Sequence, residues 1–545
     1  MLMNIEPWTG IRQGTLLRAR LIVLLGVMVP NLVLGYGNGF SFDNAGNGMV
    51  AYSDSPYRPT ITCDALATTE FPDARILSTE SVPATADAAP HCLVYGHIEP
   101  EIEFVIHLPG SWSGRLYVHG NGGDGGESVR GDYGTAIRRA AVNNGFVATF
   151  NNMGHDGSAY EGSRWAFNSS RREIDYRYRA LHLNTLIAKL LIEKYYDQPP
   201  DYSYFDGCST GGGQALRAAR DFPDDFDGIL AGAPVFDPIT LLLYVWNNQM
   251  AQEIMQLTPA RLTYLGSWLM NQYDSVDGVE DGVISNPGGI DFDPERDLPR
   301  DGAGRDGFTE SEIEGLARVY GGLVYDGRQV APGVPIGAEL PGQKYRPGSV
   351  LPDRPASAWE GRILPGSNGS IGMRAVLQEW MRYILFEDDD PSREWDKLDL
   401  QVALPKLARR AEVLSAAAPE LDRFRKRGGK LLIYNGWADV GVNPYLVLSY
   451  YQELQSGMGA DTAAFARLFL VPGMFHCAGG LNVDRFDAFT PLVDWVEGGQ
   501  APDRIAAHRI EDQRVTRTRP LCAYPAIAGY TGDGSIDDSR NFVCR

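Results

Sequence analysis

Residues 201–216 read DYSYFDGCSTGGGQAL. Inside them, Gly207-Cys208-Ser209-Thr210-Gly211 spells G-x-S-x-G, the pattern of a strand that breaks sharply into a helix with a serine at the break. Glycines allow that turn without a Cβ clash. The flanks agree with it: an aromatic, strand-like YSYFDG comes before and a helix-like GGQALRAARDF after. A serine held in this way exposes its hydroxyl at a strand end, where it becomes a nucleophile once a base removes its proton. Five letters recur by chance, so the rest of the chain has to agree.

Outward from the elbow, the regular elements alternate. EFVIHLPG (103–110), GRLYVHGNGGDGG (114–126) and NNGFVATFNNMGHDG (143–157) read as strands and strand-end loops. Residues 174–196, IDYRYRALHLNTLIAKLLIEKYY, carry apolar residues at helical spacing with no breaker. The order β-α-β-elbow-α predicts an α/β fold with a mostly parallel sheet covered on both faces. After GILAGAPVFDP (228–238) the alternation stops, and it returns at GGKLLIYNGWADVGVNP (428–444) and FARLFLVPGMFHCAGG (465–480). The stretch between is rich in Gly, Pro and Asp, with helical pieces at 311–322 and 372–386. We therefore expect an export signal or anchor at 1–36, a first core part at 37–238, an inserted lid domain at 239–404 and a second core part at 405–545.

With 545 residues, the chain is long enough for a large core with an insertion. A formal charge of −20 argues against nucleic-acid and anionic-membrane partners, both of which need basic patches. At the N-terminus, Arg12, Arg18 and Arg20 precede LIVLLGVMVPNLVLGYG, the pattern of a signal peptide. Pro30 and Asn31 interrupt that stretch, which favours cleavage near 35–40 over a permanent anchor and predicts a secreted or periplasmic protein. An even count of six cysteines behind such a signal predicts disulfides. Proximity pairs Cys63 with Cys92 and Cys522 with Cys544, leaving Cys208 and Cys477.

In α/β-hydrolases the nucleophile is followed along the chain by an acid and then by the histidine base. His476, in a glycine-rich loop after the apolar run LFLV, is the expected base; His508 lies in a charged stretch and reads as a surface residue. Asp439, just past the strand LLIY, is the expected orienting acid. The oxyanion hole needs backbone N–H groups: that of Thr210, and one from HGNGGDGG (119–126), where Gly122 and Gly123 are both candidates. If Ser209 and His476 touch, their neighbours Cys208 and Cys477 lie close, and a bridge between them would tie the elbow to the histidine loop. In the insertion, YDSVDGVEDGVISNP places Asp274, Asp277 and Asp281 within eight positions, a hard-oxygen density that suits Ca²⁺ without matching the EF-hand spacing. A solvated acidic turn is the alternative.

Four stretches (91–126, 179–235, 434–444 and 471–480) are similar to the tannase and feruloyl esterase family of α/β-hydrolases, which also includes mono(2-hydroxyethyl) terephthalate hydrolases. The similarity runs from about Cys63 onward and is weakest in the insertion. It implies Ser209, Asp439 and His476 as a triad, Cys208–Cys477 as a disulfide across the site, and a lid calcium held by the side chains of Asp274, Asp277 and Asp281 and the carbonyls of Val279 and Val283. Two positions depart from the family pattern: Gly213 replaces an arginine that follows the elbow glycines, and Tyr273 replaces a lid cysteine. The expected protein is a secreted serine ester hydrolase acting on feruloyl, galloyl or related aryl esters, with a small aromatic ester or plant cell-wall ester as substrate. The alternatives are an acyltransferase or peptidase using the same triad, and a non-catalytic polyphenol or carbohydrate binder.

Overall fold

The elbow lies at the end of a strand in the middle of a nine-stranded sheet. The computed structural model describes residues 41–545 apart from 53, 302–306, 344–354 and 367–368. The expected signal and its cleavage region fall outside the described residues. The sheet contains β1 (Ala74–Val82), β2 (His91–Ile98), β3 (Ile102–Pro109), β4 (Arg115–His119), β5 (Val147–Asn151), β6 (Tyr202–Cys208), β7 (Gly228–Gly232), β8 (Lys430–Gly436) and β9 (Ala466–Val471). Their spatial order is β1-β2-β3-β5-β4-β6-β7-β8-β9. Strands β5-β4-β6-β7-β8-β9 pair in parallel, as expected. The β1-β2, β2-β3 and β3-β5 pairs are antiparallel, so the sheet is mixed. For β2-β3 the reason is connection length: only residues 99–101 join the two strands, too few for the crossover that a parallel pair requires.

Both faces of the parallel part are covered, and its strands accordingly read as nearly continuous buried runs. Period-two alternation sends Leu116, Phe205 and Ile433 to one face and Tyr117, Tyr204 and Leu432 to the other. The first face packs on α2 (Ala180–Tyr196), α3 (Thr210–Asp221) and α9 (Pro444–Met458); the second packs on α1 (Thr135–Asn143) and α10 (Phe489–Gly498). A π-helical turn, Asp175–Arg179, leads into α2, where the periodicity alone reads as unbroken helix.

Between β7 and β8 the chain leaves the sheet for α4 (Pro238–Met255), α5 (Pro259–Tyr273), α6 (Glu310–Gly321), α7 (Gly372–Tyr383) and α8 (Leu400–Leu414). A reciprocal capping box between Thr309 and Glu312 starts α6. These helices share an apolar core built around Leu265, Leu316, Trp359 and Met381. The same core takes in Val440 and Phe475, the neighbours of Asp439 and His476, so the insertion packs onto the strand ends that carry chemistry. After β9 the chain closes with an antiparallel pair, β10 (Arg504–Glu511) and β11 (Arg514–Cys522). His508 lies on β10 opposite Thr518 and is half-buried, not free on the surface as its charged surroundings suggested. No helix among the described residues is long and apolar enough to cross a membrane.

Candidate active site

At the end of β6, Ser209 adopts φ 65° and ψ −120°, a strained conformation that lifts its side chain off the strand. Its backbone is clamped: Ser209 N donates to the Gly232 carbonyl at 2.9 Å, and its own carbonyl accepts from Val235 N at 3.0 Å. Gly207 and Gly211 are required because a Cβ on Gly207 would come within 2.6 Å of the Gly211 backbone.

His476 Nε2 lies 3.0 Å from Ser209 Oγ, and its Nδ1 lies 2.8 Å from Asp439 Oδ2. Asp439 is fully buried, and its Oδ1 accepts from Gly441 N at 2.8 Å and Val442 N at 2.9 Å. Those two bonds fix the carboxylate, which in turn can fix the imidazole tautomer and its aim. The structure thus brings together three residues that lie 37 to 267 positions apart in sequence. Cys208 and Cys477 are disulfide-bonded beside them, with Cα atoms 6.1 Å apart. Cys63–Cys92 and Cys522–Cys544 are bonded as well, so no cysteine is free.

As the first residue of α3, Thr210 has an N–H with no intrahelical acceptor. The two loop glycines differ. Gly122 N donates to Glu127 Oε1 at 3.0 Å and is thereby occupied. Gly123 N has no partner among the described residues, while its carbonyl accepts from Thr210 Oγ1 at 2.6 Å and Tyr176 OH at 3.4 Å. The loop is held from several sides. Asn121 N donates to Gln214 Oε1 at 3.0 Å, and Asn121 Nδ2 donates to Glu127 Oε2 at 3.0 Å. Asp124 accepts from Trp380 Nε1 of α7 at 2.8 Å and from Ser163 Oγ at 3.0 Å. Burial pushes the Glu127 pKa up, against the pull of its bonds from Asn121 and Gly122. Sequence reasoning missed Glu127, Gln214, Asp124, Tyr176 and Trp380. Glu127 and Gln214 follow directly on the glycine loop and the elbow, and that adjacency is the signal that could have found them.

In the acidic loop, Asp274 accepts from Asp281 N, Gly282 N and Val283 N, and Asp277 accepts from Val279 N and Ser285 N. Asp281 pairs through Oδ2 with Arg519 of β11, while its Oδ1 is buried without a partner. Burial raises the Asp281 pKa despite Arg519 and Arg517 nearby. Among the described residues, no three acidic, histidine or cysteine side chains converge as a ready metal cage. The donor set is nonetheless all oxygen, and the orphaned Asp281 Oδ1 is the kind of atom that a hard cation satisfies, so the residues fit Ca²⁺ by chemistry.

The family model described as tannase and feruloyl esterase matches residues 87–545. Mono(2-hydroxyethyl) terephthalate hydrolase of Piscinibacter sakaiensis is 29% identical over 534 residues, covering 85% of this chain and 87% of that protein. Feruloyl esterase B of Aspergillus niger is 28% identical over 468 residues, covering 80% of this chain and 82% of its own length. The crystal structure of feruloyl esterase B from Aspergillus oryzae superposes with a TM-score of 0.75 at 25% identity, over 89% of this chain and 100% of the other.

Proposed function

Because the chain belongs to the tannase and feruloyl esterase family and is a carboxylic ester hydrolase, we propose that it is a secreted serine esterase cleaving aromatic-acid esters of feruloyl, galloyl or related aryl type. Ser209 Oγ attacks the ester carbonyl while His476 Nε2, 3.0 Å away, takes its proton. Asp439 accepts the Nδ1–H bond and stabilises the imidazolium. The oxyanion is held by the N–H groups of Thr210 and Gly123, since Gly122 N–H is already given to Glu127. His476 then passes its proton to the leaving alcohol. Water, deprotonated by His476, attacks the acyl-enzyme and frees the acid. The observation that carries this reading is the unbroken Ser209–His476–Asp439 hydrogen-bond chain. An aromatic acid is supported by the names of the relatives, and secretion by the full pairing of six cysteines. Calcium, held by Asp274, Asp277, Asp281 and the carbonyls of Val279 and Val283, is structural in this reading and takes no part in the chemistry.

The test is hydrolysis of methyl ferulate, methyl gallate, mono(2-hydroxyethyl) terephthalate and a short aliphatic ester by wild type and Ser209→Ala. Turnover of one aromatic ester, reduced by roughly four to six orders of magnitude in Ser209→Ala, is expected. Full activity in Ser209→Ala sinks the mechanism. Turnover of the aliphatic ester alone keeps the mechanism and discards the aromatic acid.

A further inference from the structure

Arg177 sits in the π-helical turn Asp175–Arg179, a form of helix that gathers at functional positions. Its Nε and Nη2 are buried, and neither has a hydrogen-bond partner. The cations around it are answered: Arg217 and Arg220 share Asp221, Arg410 pairs with Glu173, and Arg179 pairs with Asp175. Arg177 has no carboxylate within ion-pair reach among the described residues. Burial pulls its pKa down to about 10, against the opposing pull of Tyr176 and Glu173 and with added repulsion from Arg217 and Arg410. Arg177 as a whole is half-buried and its guanidinium also faces the Tyr176 ring, but two buried donors left without an acceptor are a costly arrangement, and a bound anion relieves it.

The same guanidinium lines a cavity of about 30 Å³ with Thr210, Gly213, Gln214, Arg217 and Trp380. The residues that α3 contributes recur at three- and four-residue spacing on one face. Thr210 and Gly213 belong to the first turn of that helix, where the backbone dipole favours negative charge. The volume is on the order of one small ion or one carboxylate head and is too small for an aromatic ring.

We propose that this cavity binds one small monoanion, of halide or carboxylate chemistry, held by Arg177 against the helix that carries the nucleophile. Two sources share that chemistry: a free halide, and the free carboxylate of a substrate whose other carboxyl is esterified. The second source rests on the ester-hydrolase reading; the site itself does not.

Thermal unfolding in sodium gluconate, with sodium chloride, bromide or formate substituted at constant ionic strength, tests the site without reference to activity. A saturable rise in Tm is expected for wild type, a smaller one for Arg177→Lys and none for Arg177→Met. Crystals of the wild type soaked in sodium bromide should show an anomalous peak beside Arg177, a result that does not depend on any variant folding. A Tm rise shared by Arg177→Met, or the lack of a bromide peak there, overturns the proposal. The monomethyl and dimethyl esters of a benzenedicarboxylic acid then distinguish the sources. If the occupant is the substrate's carboxylate, bromide competes only against the monoester, and Arg177→Met raises KM for that ester alone by about tenfold, the loss of one charge-assisted hydrogen bond. If it is a free halide, both esters respond alike.

Discussion

His155 shows how one buried side chain couples the stability of the fold to pH. Its ring stacks on Trp165 with centroids 4.1 Å apart, and a Cβ on Gly126 of the glycine loop would lie 2.7 Å from its Nε2. Burial pulls its pKa from the usual 6.5 down to about 4. The folded protein therefore holds the ring neutral at pH values where the unfolded chain protonates it. That stability is fully present above pH 6.5 and is lost as the pH falls toward 4, by about 3 kcal/mol for a shift of this size. His155→Phe keeps the stack and removes the titration, so its Tm should fall less than that of wild type over this acid range; parallel Tm curves would refute the assignment. The hydrogen-bonded trio Ser209, His476 and Asp439 was legible because its members follow one another in the order that α/β-hydrolases use for nucleophile, acid and base, each at the end of an apolar run. Glu127 was not legible, because nothing in a glutamate after glycines says that its carboxylate folds back onto an amide five positions earlier.

At the scale of elements, Asp124 links the glycine loop 119–126 to α7 by accepting from Trp380 Nε1 at 2.8 Å. The loop and the insertion are therefore braced against each other. Trp380→Phe removes the N–H and keeps most of the apolar packing. It should cost about 1 kcal/mol of stability, since the half-buried Asp124 carboxylate loses one partner and keeps Ser163, and lower kcat about tenfold with little change in KM. An unchanged kcat would show that α7 does not position the hole. Elements with strong periodicity, such as α6 and α7, were readable as helices. The antiparallel β1-β2-β3 edge was not, because a strand's pattern reports which faces are buried and not the direction of its neighbour.

Over the whole molecule, Asp281 connects the insertion to the C-terminal hairpin through Arg519 and through Arg517, which donates to the Asp281 carbonyl at 3.2 Å. If calcium occupies this loop, EGTA should lower Tm and added Ca²⁺ restore it, by about 3 kcal/mol at a hundredfold excess over Kd. Asp281→Asn should blunt the response, and a Tm indifferent to EGTA discards the metal. By itself, the sequence determined the elbow, the order of the three site residues, the two local cysteine pairs and the existence of an insertion, because each is written in short-range pattern, composition or chain order. Only the tertiary structure decided that Gly122 is occupied while Gly123 is not, that α7 braces the glycine loop, and that two donors of Arg177 are buried without an acceptor. Those outcomes depend on which distant groups reach the same few ångströms, and that is set by the packing of the whole chain rather than by any local run of residues.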